Sequence, residues 1–104
     1  MTSFLSKYFT KSNSVEWGGC NAGSSDTIRM ESLWSITTAG SYKVEHKLRL
    51  PTGAVFSFFT PLEYFTSGTK SLITAAFIKP IPAGTYVFVF AVLYDSAGTT
   101  IASG

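Results

Sequence analysis

The cleanest alternation of apolar and polar positions runs from Tyr42 to Leu50. Tyr42, Val44, His46, Leu48 and Leu50 share one face, and Lys43, Glu45, Lys47 and Arg49 share the other. Successive side chains of an extended chain point to opposite sides, so this period of two predicts a strand with one dry face and one wet face. From Thr27 to Thr37 the apolar positions are Ile28, Met30, Leu33, Trp34 and Ile36. Their alternation breaks between Met30 and Leu33, which predicts a bulge or kink near Glu31 and Ser32. Ala54–Thr60, Ser71–Lys79 and Gly84–Asp95 are further strand segments, with Ser14–Trp17 and Thr99–Ser103 as shorter ones.

Turn chemistry separates these segments. Gly18–Asp26 is a run of small and polar residues that reads as a loop, while Ala39-Gly40, Pro51-Thr52-Gly53, Pro80–Gly84 and Ser96-Ala97-Gly98 punctuate turns. Pro82 pre-sets φ, Gly84 permits a positive φ ahead of a strand, and Asp95 with Gly98 can close a tight turn through a side-chain to backbone hydrogen bond. No long segment repeats its apolar residues at helical spacing. The pattern therefore predicts an all-β fold, a two-layer immunoglobulin-like or jelly-roll-like sandwich of about seven strands.

The segment from Thr85 to Tyr94 departs from the one-wet-face rule. As a regular strand it sets Tyr86, Phe88, Phe90, Val92 and Tyr94 on one side and Val87, Val89, Ala91 and Leu93 on the other, so neither side is polar. A strand that is apolar on both sides is one covered on both. Leu72–Ile78 and Val55–Phe59 carry the same surplus. The cover can come from loops such as Pro61–Lys70 and the N-terminal segment, from closure into a filled barrel, or from another chain against an apolar patch. Near the N-terminus Phe4, Leu5, Tyr8 and Phe9 need a groove of their own. Residues 1–13 are therefore expected to form an N-terminal arm that packs on a neighbouring subunit, and residues 14–104 a single sandwich domain. The expected self-association residues are Phe4, Leu5, Tyr8, Phe9, Tyr86, Phe88, Phe90 and Tyr94.

Composition sharpens this reading. Charged residues make up 13% of the 104 residues and aromatics 15%, against roughly 25% charged in an average soluble domain, so the surface is poor in charge and association is favoured. A net charge of +2 with scattered lysines is no footprint for nucleic acid, and no apolar stretch approaches a membrane span. The first nine residues lack the sustained apolar run of a secretory signal. Cys20 is the only cysteine, which excludes an internal disulfide and any cysteine-based metal framework. His46 is the only histidine and falls on the apolar face of its strand, where a satisfied core histidine is the expected reading. No serine sits in a Gly-x-Ser-x-Gly elbow, the carboxylates are dispersed, and Gly18–Gly23 lacks the lysine of a phosphate-cradling loop. No catalytic residue, metal site or cofactor is expected.

The C-terminal segment from Ile81 to Gly98 runs Pro82-Ala83-Gly84-Thr85-Tyr86, an apolar strand, then Asp95-Ser96-Ala97-Gly98. It resembles the last hairpin of bacterial immunoglobulin-like and fibronectin-like surface modules. Leu48–Phe56, with Leu50-Pro51-Thr52-Gly53 at its centre, is similar to a Leu-Pro-Asp-Gly hairpin midway through some of them. These motifs cover under half of the chain and carry no catalytic residue across. The resemblance implies adhesion, spacing or assembly roles at an extracellular, cell-surface or virion location.

Two functional classes follow. The first is a non-enzymatic structural subunit, a filament, virion or surface-layer building block, that hides apolar sheet faces and its N-terminal arm against copies of itself. The alternative is a monomeric binding or adhesion module that takes carbohydrate on surface aromatics, with Trp17, Trp34 and Tyr64 as stacking platforms. Aromatics in strands are more often core than platform, which ranks assembly first.

Overall fold

A computed structural model describes residues 1–12, 14–80 and 82–104. Asn13 at the end of the expected arm, Ile81 in the expected Pro80–Gly84 turn, and the side chains of Ala75, Ala76 and Phe77 in the apolar Leu72–Ile78 run lie outside the described residues. Among the described residues ten strands follow one another: β1 (Ser3–Lys11), β2 (Ser14–Glu16), β3 (Gly19–Ala22), β4 (Ile28–Ile36), β5 (Gly40–Arg49), β6 (Val55–Phe59), β7 (Glu63–Phe65), β8 (Gly68–Ile78), β9 (Gly84–Asp95) and β10 (Thr100–Ser103). They form two antiparallel sheets packed as a sandwich. One is four-stranded in the order β2-β1-β4-β8; the other is six-stranded along β10-β9-β5-β6, with β3 also pairing β9 and β7 also pairing β5. The expected all-β sandwich is therefore present, with more strands than the alternation alone predicts.

The additional strands are β1, β3 and β7, and each was hidden for a physical reason. β3 is built of small residues that give no alternation, yet Cys20 and Ala22 are buried as it pairs with the start of β9. β7 is only Glu63–Phe65 and continues the edge that β6 leaves.

β1 corrects the expectation of an arm. It pairs with β4 from Ser3 to Lys11 and with β2 at its far end, so residues 3–11 are an internal strand of the first sheet rather than a segment lent to a neighbour. Phe9 is fully buried, and Phe4 packs edge-on against Trp34 with ring centroids 5.3 Å apart. Phe4 and Phe9 thus pack in this chain's own core.

β5 alternates as predicted, with Tyr42, Val44, His46 and Leu48 buried. β4 alternates without a break, because Ser32 rather than Leu33 takes the inward position. The irregularity expected at Glu31 and Ser32 is carried by the partner strand. Met30 pairs with Ala75 and Glu31 with Ile73, which leaves Thr74 as the extra residue of a bulge in β8.

A second bulge redirects β9. Leu48 pairs with Phe88 and Lys47 with Phe90, so Val89 is the extra residue. Inward positions are Tyr86 and Phe88 before it and Ala91 and Leu93 after it, all buried. Phe90, Val92 and Tyr94 turn outward, which corrects the single apolar face expected from Tyr86 to Tyr94. The outward residues are half-covered by β5: Lys47 Nζ lies 4.9 Å from the Phe90 ring centroid and Lys43 Nζ 6.0 Å from that of Tyr94. The Tyr94 hydroxyl donates to Glu45 Oε1 at 2.7 Å. The lysine ammonium groups thus lie over two of the outward rings.

Two turns fix the hairpins as expected. Asp95 Oδ1 accepts from the amides of Ala97 and Thr99, both at 2.9 Å, and Gly98 N donates to Asp95 O. Gly84 enters β9 at φ 147° with its Cα against Pro51, where an added Cβ would stand 2.9 Å from the proline ring. Only glycine fits that approach.

Candidate functional site

Four regions hold the chemistry-bearing side chains, and they differ in access. The first is a polar chain inside the core. Trp34 Nε1 donates to Ser32 Oγ at 2.7 Å, Ser32 Oγ lies 2.7 Å from His46 Nε2, and His46 Nδ1 lies 2.6 Å from Thr74 Oγ1. The β8 bulge at Thr74 aims that hydroxyl at the imidazole. Burial holds the His46 pKa down to about 3, so the ring is neutral and both its nitrogens are satisfied. Ser32 and His46 have the spacing of a nucleophile and base, but both are fully buried and the third partner is a hydroxyl rather than a carboxylate. This polar network fills the core, with Ser32 and His46 out of contact with solvent.

Trp34 belongs to the same chain and is fully buried, so it cannot be the stacking platform expected of it. Cys20 is buried in the core opposite Tyr86, and burial pushes its thiol pKa up, away from reactivity. Among the described residues no group of three or more His, Cys, Asp or Glu could hold a metal ion.

The second region is the outer face of the first sheet. Tyr8 and Glu31 are cross-strand partners, and Trp17, just past β2, packs edge-on against Tyr8 with centroids 5.0 Å apart. The Tyr8 pKa is pushed up to about 12 by burial first and then by the hydrogen bond and charge of Glu31. Ser71 Oγ donates to Glu31 Oε1, and Arg29 pairs with Glu31 Oε2 at 3.8 Å. Trp17 itself is 65% exposed. Tyr64, the other expected platform, is exposed on β7 of the opposite sheet, so the two do not form one site.

The third region is an open cleft of about 580 Å³ at one end, lined by Thr2, Thr37, Thr38, Tyr42, Asp95 and neighbours. Its polar groups are largely engaged within the fold: Tyr42 donates to Thr38 O at 2.5 Å, and Thr2 Oγ1 accepts from Thr37 N at 3.1 Å.

The fourth region is the β6–β7 edge. The Pro51-Thr52-Gly53 turn reverses the chain, with Gly53 N donating to Leu50 O at 2.9 Å, and lays β6 against β5 in one unbroken register from Val55 opposite Arg49 to Phe59 opposite Glu45. Among the described residues β6 has no strand on its other side. Val55 is 47% exposed, Phe56 52%, Phe59 55%, Leu62 48% and Tyr64 68%. Leu50 N donates to Ala54 O and Thr60 N to Val44 O. Hydrogen-bonded pairs alternate along an antiparallel ladder, so residues 54, 56, 58 and 60 direct their backbone groups to β5. Val55, Ser57 and Phe59 direct theirs away from the sheet.

The expected self-association residues divide. Phe9, Tyr86 and Phe88 are core residues, and Phe4 packs on Trp34, so these corrections remove half of the set. Leu5, at the β1 bulge, is 49% exposed; Tyr8, Phe90 and Tyr94 are half-buried. A run of open apolar side chains, Val55, Phe56, Phe59, Leu62 and Tyr64, lies instead along β6, β7 and the segment between them. Their signal in the sequence is a charge-free aromatic run after a Pro-x-Gly turn.

No protein-family model and no curated protein sequence matches the chain. Among solved structures it is similar to a segment of a Bacteroides uniformis beta-glucuronidase, with a TM-score of 0.60 and 10% sequence identity over 99% of this chain and 14% of that one. At that identity the likeness is one of fold, a β-sandwich within a much longer protein. These matches confirm no immunoglobulin-like family for the chain.

Proposed function

We propose that this chain is a non-enzymatic structural module that associates with copies of itself through the β6–β7 edge. The observation that carries the reading is the run of large apolar side chains at Val55, Phe56, Phe59, Leu62 and Tyr64, each about half exposed or more, along β6, β7 and the segment between them, with the outer backbone edge of β6 unpaired. A flat, uncharged edge of this kind is a template for another strand, and natural sheets normally blunt it with lysine, proline or a bulge. β6 has none of these between Val55 and Phe59. Of the residues that the sequence suggested, Phe4, Phe9, Tyr86 and Phe88 lie in or against the core, and Phe90 and Tyr94 are partly covered by lysines, which favours the edge instead. The test is solution mass across a concentration series. The chain should shift from one copy to a defined multiple as concentration rises, and Phe59→Lys should hold it at one copy with unchanged circular dichroism. A single copy at all concentrations overturns the reading.

A second reading, a saccharide-binding module, is favoured by Trp17. Its exposed indole packs on Tyr8, whose cross-strand partner Glu31 is bonded in turn to Ser71 and Arg29, so an apolar plate shares a sheet face with hydrogen-bonding groups. Saccharide titration should change the emission of Trp17, and Trp17→Ala should abolish the response. A response that survives in that variant rules this site out.

A further inference from the structure

We infer that β6 pairs antiparallel with β6 of a second copy about a two-fold axis at Ser57, extending the six-stranded sheet across the dimer. This rests on the self-association reading and names its register. The backbone decides first. Only Val55, Ser57 and Phe59 have amide and carbonyl groups free on this edge. In an antiparallel ladder, residues that exchange both bonds must face each other with free groups on both sides. Centring on Ser57 sets Ser57 opposite its own copy, Val55 opposite Phe59 and Phe59 opposite Val55, so every free group is used. A register shifted by two residues leaves one free residue on each copy without a partner, and a shift by one opposes free groups to groups already committed to β5.

The side chains agree with that register. The run Val55-Phe56-Ser57-Phe58-Phe59 is nearly symmetric about its centre, so Phe56 meets Phe58 of the copy and Val55 meets Phe59. Aromatic and β-branched cross-strand pairs are the favourable ones in sheets. The smallest side chain falls on the axis. Charge fits as well: Glu45 lies in the row of Phe59 and Arg49 in that of Val55, so the axis aligns the acidic row of one copy with the basic row of the other. Lys47, in the row of Ser57, is turned over Phe90 on β9, away from β6, which keeps two like charges off the axis.

Area sets the strength. A fully exposed aromatic offers about 150–250 Å², so the open parts of Val55, Phe56, Phe59 and Leu62 with the strand edge contribute about 500 Å² per copy, or about 1,000 Å² in all. That is the lower end for a specific interface, and the dimer is a concentration-dependent one.

The experiment places one cysteine at a time in the full chain, as Val55→Cys, Ser57→Cys and Phe59→Cys, and oxidises each with oxidised glutathione. Cys20 is buried and the unmodified chain is the background. Facing residues in a hydrogen-bonded pair have Cα atoms about 5.5 Å apart, within disulfide reach, whereas like residues two positions from the axis are about 14 Å apart. Ser57→Cys should give a covalent dimer, and the other two should stay at background. Amide exchange of the unmodified chain gives an independent readout: on raising the concentration, Val55, Ser57 and Phe59 should slow by about tenfold or more while Phe56 and Phe58 hold their rates. Cross-linking at 55 or 59 instead of 57, or a dimer whose three amides stay fast, overturns the register but leaves self-association standing. A chain of monomeric mass overturns both.

Discussion

β9 and β6 carry the same sequence signal and meet opposite fates. Each is a run of aromatic and β-branched residues with no charge, Val87–Leu93 in one and Val55–Phe59 in the other. β9 has strands on both sides, a bulge at Val89 that splits its aromatics between core and exterior, and two lysines from β5 laid over the outward ones. β6 has a neighbour on one side only, and Phe56 and Phe59 are left more than half open. The difference lies in position within the sheet. An apolar run in an interior strand finds its cover in the flanking strands, while the same run at an edge keeps both its side chains and its backbone available.

Truncations break the comparison most directly. Phe88→Ala in β9 removes a ring packed against both Phe9 and His46, and should lower unfolding free energy by about 3–5 kcal/mol in a denaturant titration. An effect no larger than that of an edge substitution would show that β9 is less enclosed than its burial indicates.

Acid is the next largest lever, and it acts only on the interior. His46 is held neutral with its pKa lowered from 6.5 to about 3, while the unfolded chain protonates it below about 6.5. Because the folded value is depressed, the stability is fully present above pH 6.5 and is lost progressively as pH falls towards 3. The slope is at most about 1.4 kcal/mol per pH unit from this group, since the unfolded state binds one more proton in that window. Urea midpoints taken from pH 7 to pH 4 should fall accordingly, and His46→Gln should flatten that part of the dependence. An unchanged slope in the variant would mean that other groups govern the acid limb.

The smallest effect is expected at the edge. Phe59→Ala, measured at a concentration where the chain is a single copy, should change stability by no more than about 0.5 kcal/mol, because a half-exposed side chain on an unpaired strand has little to lose on truncation. A loss comparable with that of Phe88→Ala would mean that Phe59 supports the fold and would remove the reason for calling the edge a partner surface.

Much of the fold was legible from alternation, and the misses have local causes. β5 reads correctly because one face meets the core and the other meets water, so burial writes itself into the sequence with a period of two. β4 misleads at Ser32, a polar residue placed inward because Trp34 on β4 and His46 on β5 bond its hydroxyl while Thr74 on β8 bonds the other nitrogen of His46. No local pattern announces such a partner set. β1 misleads in the other direction, since its apolar residues identify a buried segment without saying whose core it enters. The candidate edge was visible only as a surplus of apolar groups. Which of three apolar runs would stay uncovered depended on strand order.

The sequence by itself determined the strand character of most segments, the turns at Gly53, Gly84 and Asp95–Gly98, and the absence of a second cysteine or histidine, because these depend on residue type and near neighbours alone. The tertiary structure decided that residues 3–11 belong inside the sheet, that the bulges fall at Thr74 and Val89, and that β6 lies at an edge with Val55, Ser57 and Phe59 unpaired. Those outcomes are set by which strands lie side by side, and that follows from contacts between residues far apart in the chain, which no local pattern of polar and apolar positions encodes.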